Sequence, residues 1–131
     1  MIVIYWSFER LFAIIEIQNA AITKQPPIFH VGEVIEVEYT ILRRRTCHAE
    51  IIRYLERKSD HREFIVQNVN MILEETRDVQ ASGFRIWVPP ELSSGPYVLF
   101  SRARYYCNGL DWVWPRVHRL FNFEVEIVDG S

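Results

Sequence analysis

An all-β domain made of two packed sheets, a β-sandwich, is the fold class this sequence predicts, and three observations predict it. Apolar side chains recur every second residue, most plainly where Ile35, Val37, Tyr39 and Ile41 alternate with Glu36, Glu38 and Thr40. That alternation marks a strand with one buried and one wet face. Turn clusters rich in Gly, Pro, Ser and Asp separate about seven such runs, the spacing expected of a sandwich. No stretch reads as a strand–helix–strand unit, so the strands are expected to pair antiparallel.

The first element is a short apolar N-terminal segment, residues 1–12, ahead of a domain spanning 13–131. The opening MIVIYWSFERLFAIIEI is interrupted by Glu9, Arg10 and Glu16. A membrane-spanning helix needs roughly 20 mostly apolar residues, and no positive region precedes Ile2 as a secretory leader requires. Tyr5, Phe8, Phe12 and Ile15 share one helical face, and Trp6 adds to the aromatic surface. The segment is therefore read as an amphipathic element that packs on the domain or on a neighbour, in preference to an anchor.

A first strand is predicted near 13–22, and Pro26-Pro27 and Gly32 mark the turn from it into the strand at 33–41. In the third strand, 47–57, Ala49, Ile51 and Leu55 are in phase with Cys47. Lys58-Ser59-Asp60 makes a turn into Phe64-Ile65-Val66. Residues 70–80 are ambiguous, with Met71-Ile72-Leu73 as a possible strand before a solvated Glu74-Glu75 connection. Phe84, Ile86 and Val88 define the next strand, which ends at Pro89-Pro90. After the Ser93-Ser94-Gly95-Pro96 corner comes a long strand at 97–107. A final one points Phe121, Phe123, Val125 and Ile127 inward.

With 131 residues, 49% apolar and 24% charged, the chain can build one core of its own. A net charge of −2 gives no basic face for nucleic acid, so no specific nucleic-acid partner is expected. Cys47 and Cys107 both fall on inward phases. On facing sheets they could form a disulfide or remain two buried thiols. His30, His48, His61 and His118 have no metal-ligand spacing, and neither a phosphate loop nor a nucleophile elbow occurs. No enzyme, metal or cofactor is expected.

Tyr105-Tyr106-Cys107 resembles the Tyr-x-Cys motif on strand F of the immunoglobulin superfamily. Cys47 departs from that pattern by opening the third strand, with no tryptophan following at the usual distance. The resemblance implies an immunoglobulin-like sandwich. In order along the chain, Val31-Gly32-Glu33, Arg43-Arg44-Arg45-Thr46-Cys47, Pro89-Pro90 with Gly95-Pro96-Tyr97, Tyr105-Tyr106-Cys107-Asn108 and Trp114-Pro115 together resemble small, poorly characterised proteins of tailed bacteriophages. That resemblance implies a structural or interaction module of the virion: a decoration, cement or minor head–neck protein bound to other virion subunits, or self-associated. The rival expectation is a membrane-anchored protein of the host inner membrane. It would display the domain to the periplasm and act at the host envelope.

Two regions are candidates for partner binding. One is the loop before the last strand, where Trp112, Trp114 and Arg116 are residue types that dominate binding hot spots, although the tryptophans could equally close the end of the sandwich. The other is the N-terminal segment, through Tyr5, Trp6, Phe8 and Phe12. The Arg43-Arg44-Arg45 run, with Arg53, Arg57 and Lys58, reads either as a basic patch or as solvated strand faces. Arg102 and Arg104 are expected to point off the core face.

Overall fold

A computed structural model describes residues 15–43, 46–76, 78–107 and 116–129. The described residues are all-β and form two sheets. Eight strands are present: β1 (Ile15–Ile22), β2 (Ile28–His30), β3 (Val34–Arg43), β4 (Cys47–Arg57), β5 (Glu63–Leu73), β6 (Gln80–Trp87), β7 (Gly95–Tyr106) and β8 (Arg116–Val128). The smaller sheet has the order β1-β3-β6 and the larger the order β2-β8-β7-β4-β5. All pairs are antiparallel except β2, which runs parallel to β8 along three residues. This exception needs no crossover helix, because β1 and β3 on either side of β2 belong to the other sheet. The boundary expected between residues 12 and 13 lies outside the described residues, and Ile15, expected on a helical face, opens β1.

The alternation at 33–41 becomes β3 as read, with Ile35, Val37 and Ile41 buried. The ambiguous stretch after residue 70 belongs to one long strand, β5. Its period is broken by a bulge: Arg53 pairs with Gln67 and the next residue, Tyr54, with Ile65, leaving Val66 as the extra residue. Inward positions therefore change from Phe64 and Val66 to Val69, Met71 and Leu73. Two more irregularities involve residues at positive φ: Asn19 (54°) in β1 and Phe121 (59°) in β8.

The core has two parts. In one, Ile35, Val37 and Ile86 of the smaller sheet meet Leu55, Leu99 and Ile127 of the larger, all essentially inaccessible. The other gathers Cys47, Ala49, Leu73, Ala103 and Tyr105 on the inner face of the larger sheet. Cys47 and Cys107 are bridged, with Cα atoms 4.3 Å apart. The expectation of facing sheets does not hold, because β4 and β7 are neighbours in one sheet and His48 pairs with Tyr106 beside the bridge. The Cα separation is that of a directly opposed, non-hydrogen-bonded antiparallel pair.

Turns tie the layers together. At Val31-Gly32-Glu33 the Val31 amide donates to the Val128 carbonyl (3.1 Å) and the Gly32 amide to the Val88 carbonyl (2.9 Å). Gly32 has φ of 85°, a conformation that a side chain resists. The Glu33 carboxylate accepts from the His30 amide (3.1 Å) and from Lys24 (3.0 Å), which together hold its pKa below the ordinary value.

Between β4 and β5, Asp60 accepts two hydrogen bonds from the Arg57 guanidinium (3.0 and 2.9 Å) and one from the Arg62 amide (3.1 Å). The Arg57 bonds, then the Arg62 amide, depress its carboxyl pKa from 3.8 to about 2. A depressed carboxylate contributes stability that is complete above its unfolded pKa and lost as pH falls through the folded one. An NMR titration of the Asp60 side-chain carboxyl is expected to show its midpoint near 2, and Arg57→Met should raise it toward the ordinary carboxylate range, the Arg62 amide still holding it somewhat below. A midpoint near 4 in the wild type would contradict the bonded turn.

Candidate functional site

Two places carry more chemistry than packing requires: the outward face of the larger sheet and a chamber between the sheets. On the outward face, strand pairing sets side chains in cross-strand rows. One row runs Ile65, Tyr54, Phe100, Asn122, and the next outward pair is Arg102, two residues along β7, with Arg119, three along β8 because of the irregularity at Phe121. Phe100 points away from the core yet is fully inaccessible. Tyr54 stacks on it (5.1 Å between centroids, 16° between planes), and the guanidiniums of Arg119 and Arg102 lie 3.8 and 5.2 Å from its centroid. Arg102 is itself fixed by two hydrogen bonds to Glu63 (3.0 and 2.7 Å), which raise its pKa. Such pairs of planar cations and rings are stable, pre-organised contact surfaces.

Around this cluster the face is mixed, with the exposed Asn68 and Asn70 lying between two exposed isoleucines. Ile65 is 63% exposed and Ile72 66%, both on the sheet-edge strand β5, and Val117 on β8 is also exposed. His48 and Tyr106 complete the row from Ile72, their rings 6.0 Å apart. On the smaller sheet the counterpart is the exposed pair Val34 and Trp87.

The chamber, about 160 Å³, lies between the two parts of the core. Its walls are mostly apolar, but Arg53 on β4 projects into it and is only 5% exposed. Arg53 is on the same inward phase as Ala49, Ile51 and Leu55, so it contributes to no surface basic patch. Its guanidinium sits 3.9 Å from the Phe84 ring centroid and donates to Gln67 through Nη1, while Nε has no partner. Burial lowers its pKa. The Tyr105 hydroxyl, also in the chamber wall and 1% exposed as a residue, has no partner either, and burial raises its pKa.

Of the residues expected at a partner site, Arg116 opens β8 opposite Tyr105, which is where the backbone places it. Trp112, Trp114, Tyr5, Trp6, Phe8 and Phe12 lie outside the described residues, as do Arg44 and Arg45. Arg104 is exposed and Arg102 half-buried, both off the core face. Tyr54, Phe100, Arg119, Ile65 and Ile72 escaped the sequence reading. A register count could have placed them, since outward phase is fixed by the same period that assigns the core. Among the described residues no group of three or more His, Cys, Asp or Glu side chains could hold a metal, and no helix is long and apolar enough to cross a membrane.

The fold and these two features define a two-sheet all-β domain. Its solved counterparts include the C-terminal domain of wzt, with 12% identity and a TM-score of 0.59 over 91% of this chain and 76% of that one. The alkylpurine DNA glycosylase AlkC of Pseudomonas fluorescens, bound to DNA containing an abasic site analog, aligns at 13% identity and a TM-score of 0.49 over 88% of this chain and 31% of its own. A β-glucosidase from Listeria innocua, in complex with gluconolactone, aligns at 17% identity and a TM-score of 0.45 over 87% of this chain and 16% of its own. The likeness to the wzt domain is one of fold alone. No protein-family model matches the chain, and no curated protein matches it.

Proposed function

We propose that this chain is a non-enzymatic interaction module, an immunoglobulin-like β-sandwich that binds a protein partner on the outward face of its larger sheet. The observation that carries the reading is Ile65, 63% exposed beside the Tyr54–Phe100–arginine cluster, with Ile72, 66% exposed, farther along the same edge strand. Exposed apolar area framed by Tyr and Arg is the composition of a binding hot spot, and water gains by its removal. The exposed Arg104 favours a partner with an apolar centre and a carboxylate at its rim. The narrower setting, a decoration, cement or minor head–neck protein of a bacteriophage particle, rests on the order of sequence motifs and makes the partner another virion subunit.

Mass spectrometry of purified particles from the source system tests this directly. The chain is expected at fixed copy number. The double substitution Ile65→Asp/Ile72→Asp, on positions that pack against no core, is expected to leave folding intact and to cut incorporation by at least about tenfold. Absence from particles, or undiminished incorporation of the variant, would overturn the reading.

The bridged cysteines favour a second reading. Disulfides persist in oxidising compartments, which suits a membrane-anchored protein that displays this domain outside the cytoplasm at the host envelope. On that reading the chain fractionates with host membranes and is lost from particles.

A further inference from the structure

A buried cation with an open N–H in a ring-lined chamber is costly unless something meets it. Desolvation opposes a lone interior charge, and a buried polar group normally finds a partner. Arg53 has Gln67 through one nitrogen and the Phe84 face, but its Nε remains unmatched. The Tyr105 hydroxyl and the Arg43 Nε, both buried and unmatched, belong to residues that line the chamber. No aspartate or glutamate is among the residues that line it. Two arginines and a tyrosine with unmatched donors thus stand in the chamber wall with no acid beside them.

The backbone is shaped around this spot. Val66 is bulged beside Gln67, and Phe121 holds φ of 59° at the β8 irregularity while packing 5.0 Å from Tyr39 and 5.4 Å from Phe84. A bulky residue in that region is strained, and bulges re-aim side chains beside sites. An outer groove shares Tyr39, Ser82, Gly83 and Phe84 with the chamber wall. The acids of the neighbourhood, Glu36 and Glu38, line that groove and not the chamber. The chamber volume, about 160 Å³, is close to that of cavities that accept a single six-membered ring.

We propose that the chamber binds a small organic carboxylate with one ring, its carboxylate on Arg53 and its ring among Phe121, Ile51 and Leu120. Arg suits this role because its planar donors match a carboxylate. The Tyr105 hydroxyl, unmatched in the same wall, is the nearest candidate for a second donor once a ligand enters. Nothing in this inference depends on the protein partner of the outward face.

Benzoate is the probe, titrated into the isotopically labelled full chain and followed by NMR. Saturable shifts are expected at Phe84, Tyr105 and Phe121, with a Kd on the order of 1 mM or tighter. Benzyl alcohol, the same ring without the charge, should bind at least about tenfold more weakly. Arg53→Met should abolish the benzoate shifts. It is expected to melt no lower than the wild type, since an apolar side chain replaces a desolvated charge. That melting curve separates lost binding from lost folding. If benzoate gives no saturable shifts, the chamber holds water only and the proposal fails. Equal affinity for benzyl alcohol, or undiminished benzoate binding by folded Arg53→Met, would overturn it as well. Should the methionine variant not fold, Arg53→Gln serves in its place with the same two outcomes.

Discussion

Replacing Cys47 and Cys107 together by alanine is expected to lower stability by about 4 kcal/mol and the melting temperature by about 15 °C. The bridge closes a loop of 60 residues of sequence separation, and the entropy removed from the unfolded chain grows with the logarithm of that length. Dividing by about 2.1 cal/mol/K per residue for a chain of 131 residues gives the temperature shift. Little native packing is at stake, because the cysteines sit among Ala49, Ala103 and Leu73 at the end of the larger sheet. Parallel guanidinium melts of the oxidised wild type and the double variant measure the loss. A difference below about 1 kcal/mol would mean that the reduced chain already holds β4 and β7 together when unfolded.

The second large effect is expected at Phe100. Phe100→Ala should cost about 3 kcal/mol, near the low end for removing a buried phenyl, because solvent can enter from the outward side. What is lost is the platform for Tyr54 and for the guanidiniums of Arg102 and Arg119. A double-mutant cycle with Arg119→Met should return a coupling of about 1 kcal/mol, the range for a partly desolvated cation over a ring. Urea unfolding at constant m-value gives both numbers. A cost under about 1 kcal/mol would show that the cluster stands without its central ring.

Where the period of two was unbroken, the sequence was legible. β3 keeps strict alternation, and its inward residues are the buried ones. β5 was legible only in part because the bulge at Val66 exchanges inward and outward phases halfway, so no single period fits 63–73. β2 went unread for a different reason: three residues behind two prolines, with only Phe29 buried, carry too little pattern. The parallel pairing of β2 follows from the chain changing sheets, which local pattern does not encode. Arg53 is the instructive case. Counting in twos from Cys47 puts it inside with Ile51 and Leu55, but a charged residue near other arginines reads as surface. The outward cluster was hidden similarly, since Tyr54 and Phe100 become neighbours only through the β4–β7 register.

Between β1 and β3 the chain leaves the smaller sheet, lends three residues to the border of the larger one and returns. On the way, adjacent amides at Val31 and Gly32 are anchored on Val128, the last residue of β8, and on Val88, just past the end of β6. The two layers are thereby laced by main chain as well as by side-chain contact. Neither layer is an autonomous foldon, since removing one would strip hydrogen bonds from the strap that borders the other. Among the described strands, partial opening is left to the outer strand β5, which this lacing does not reach, while the rest comes apart as one cooperative unit.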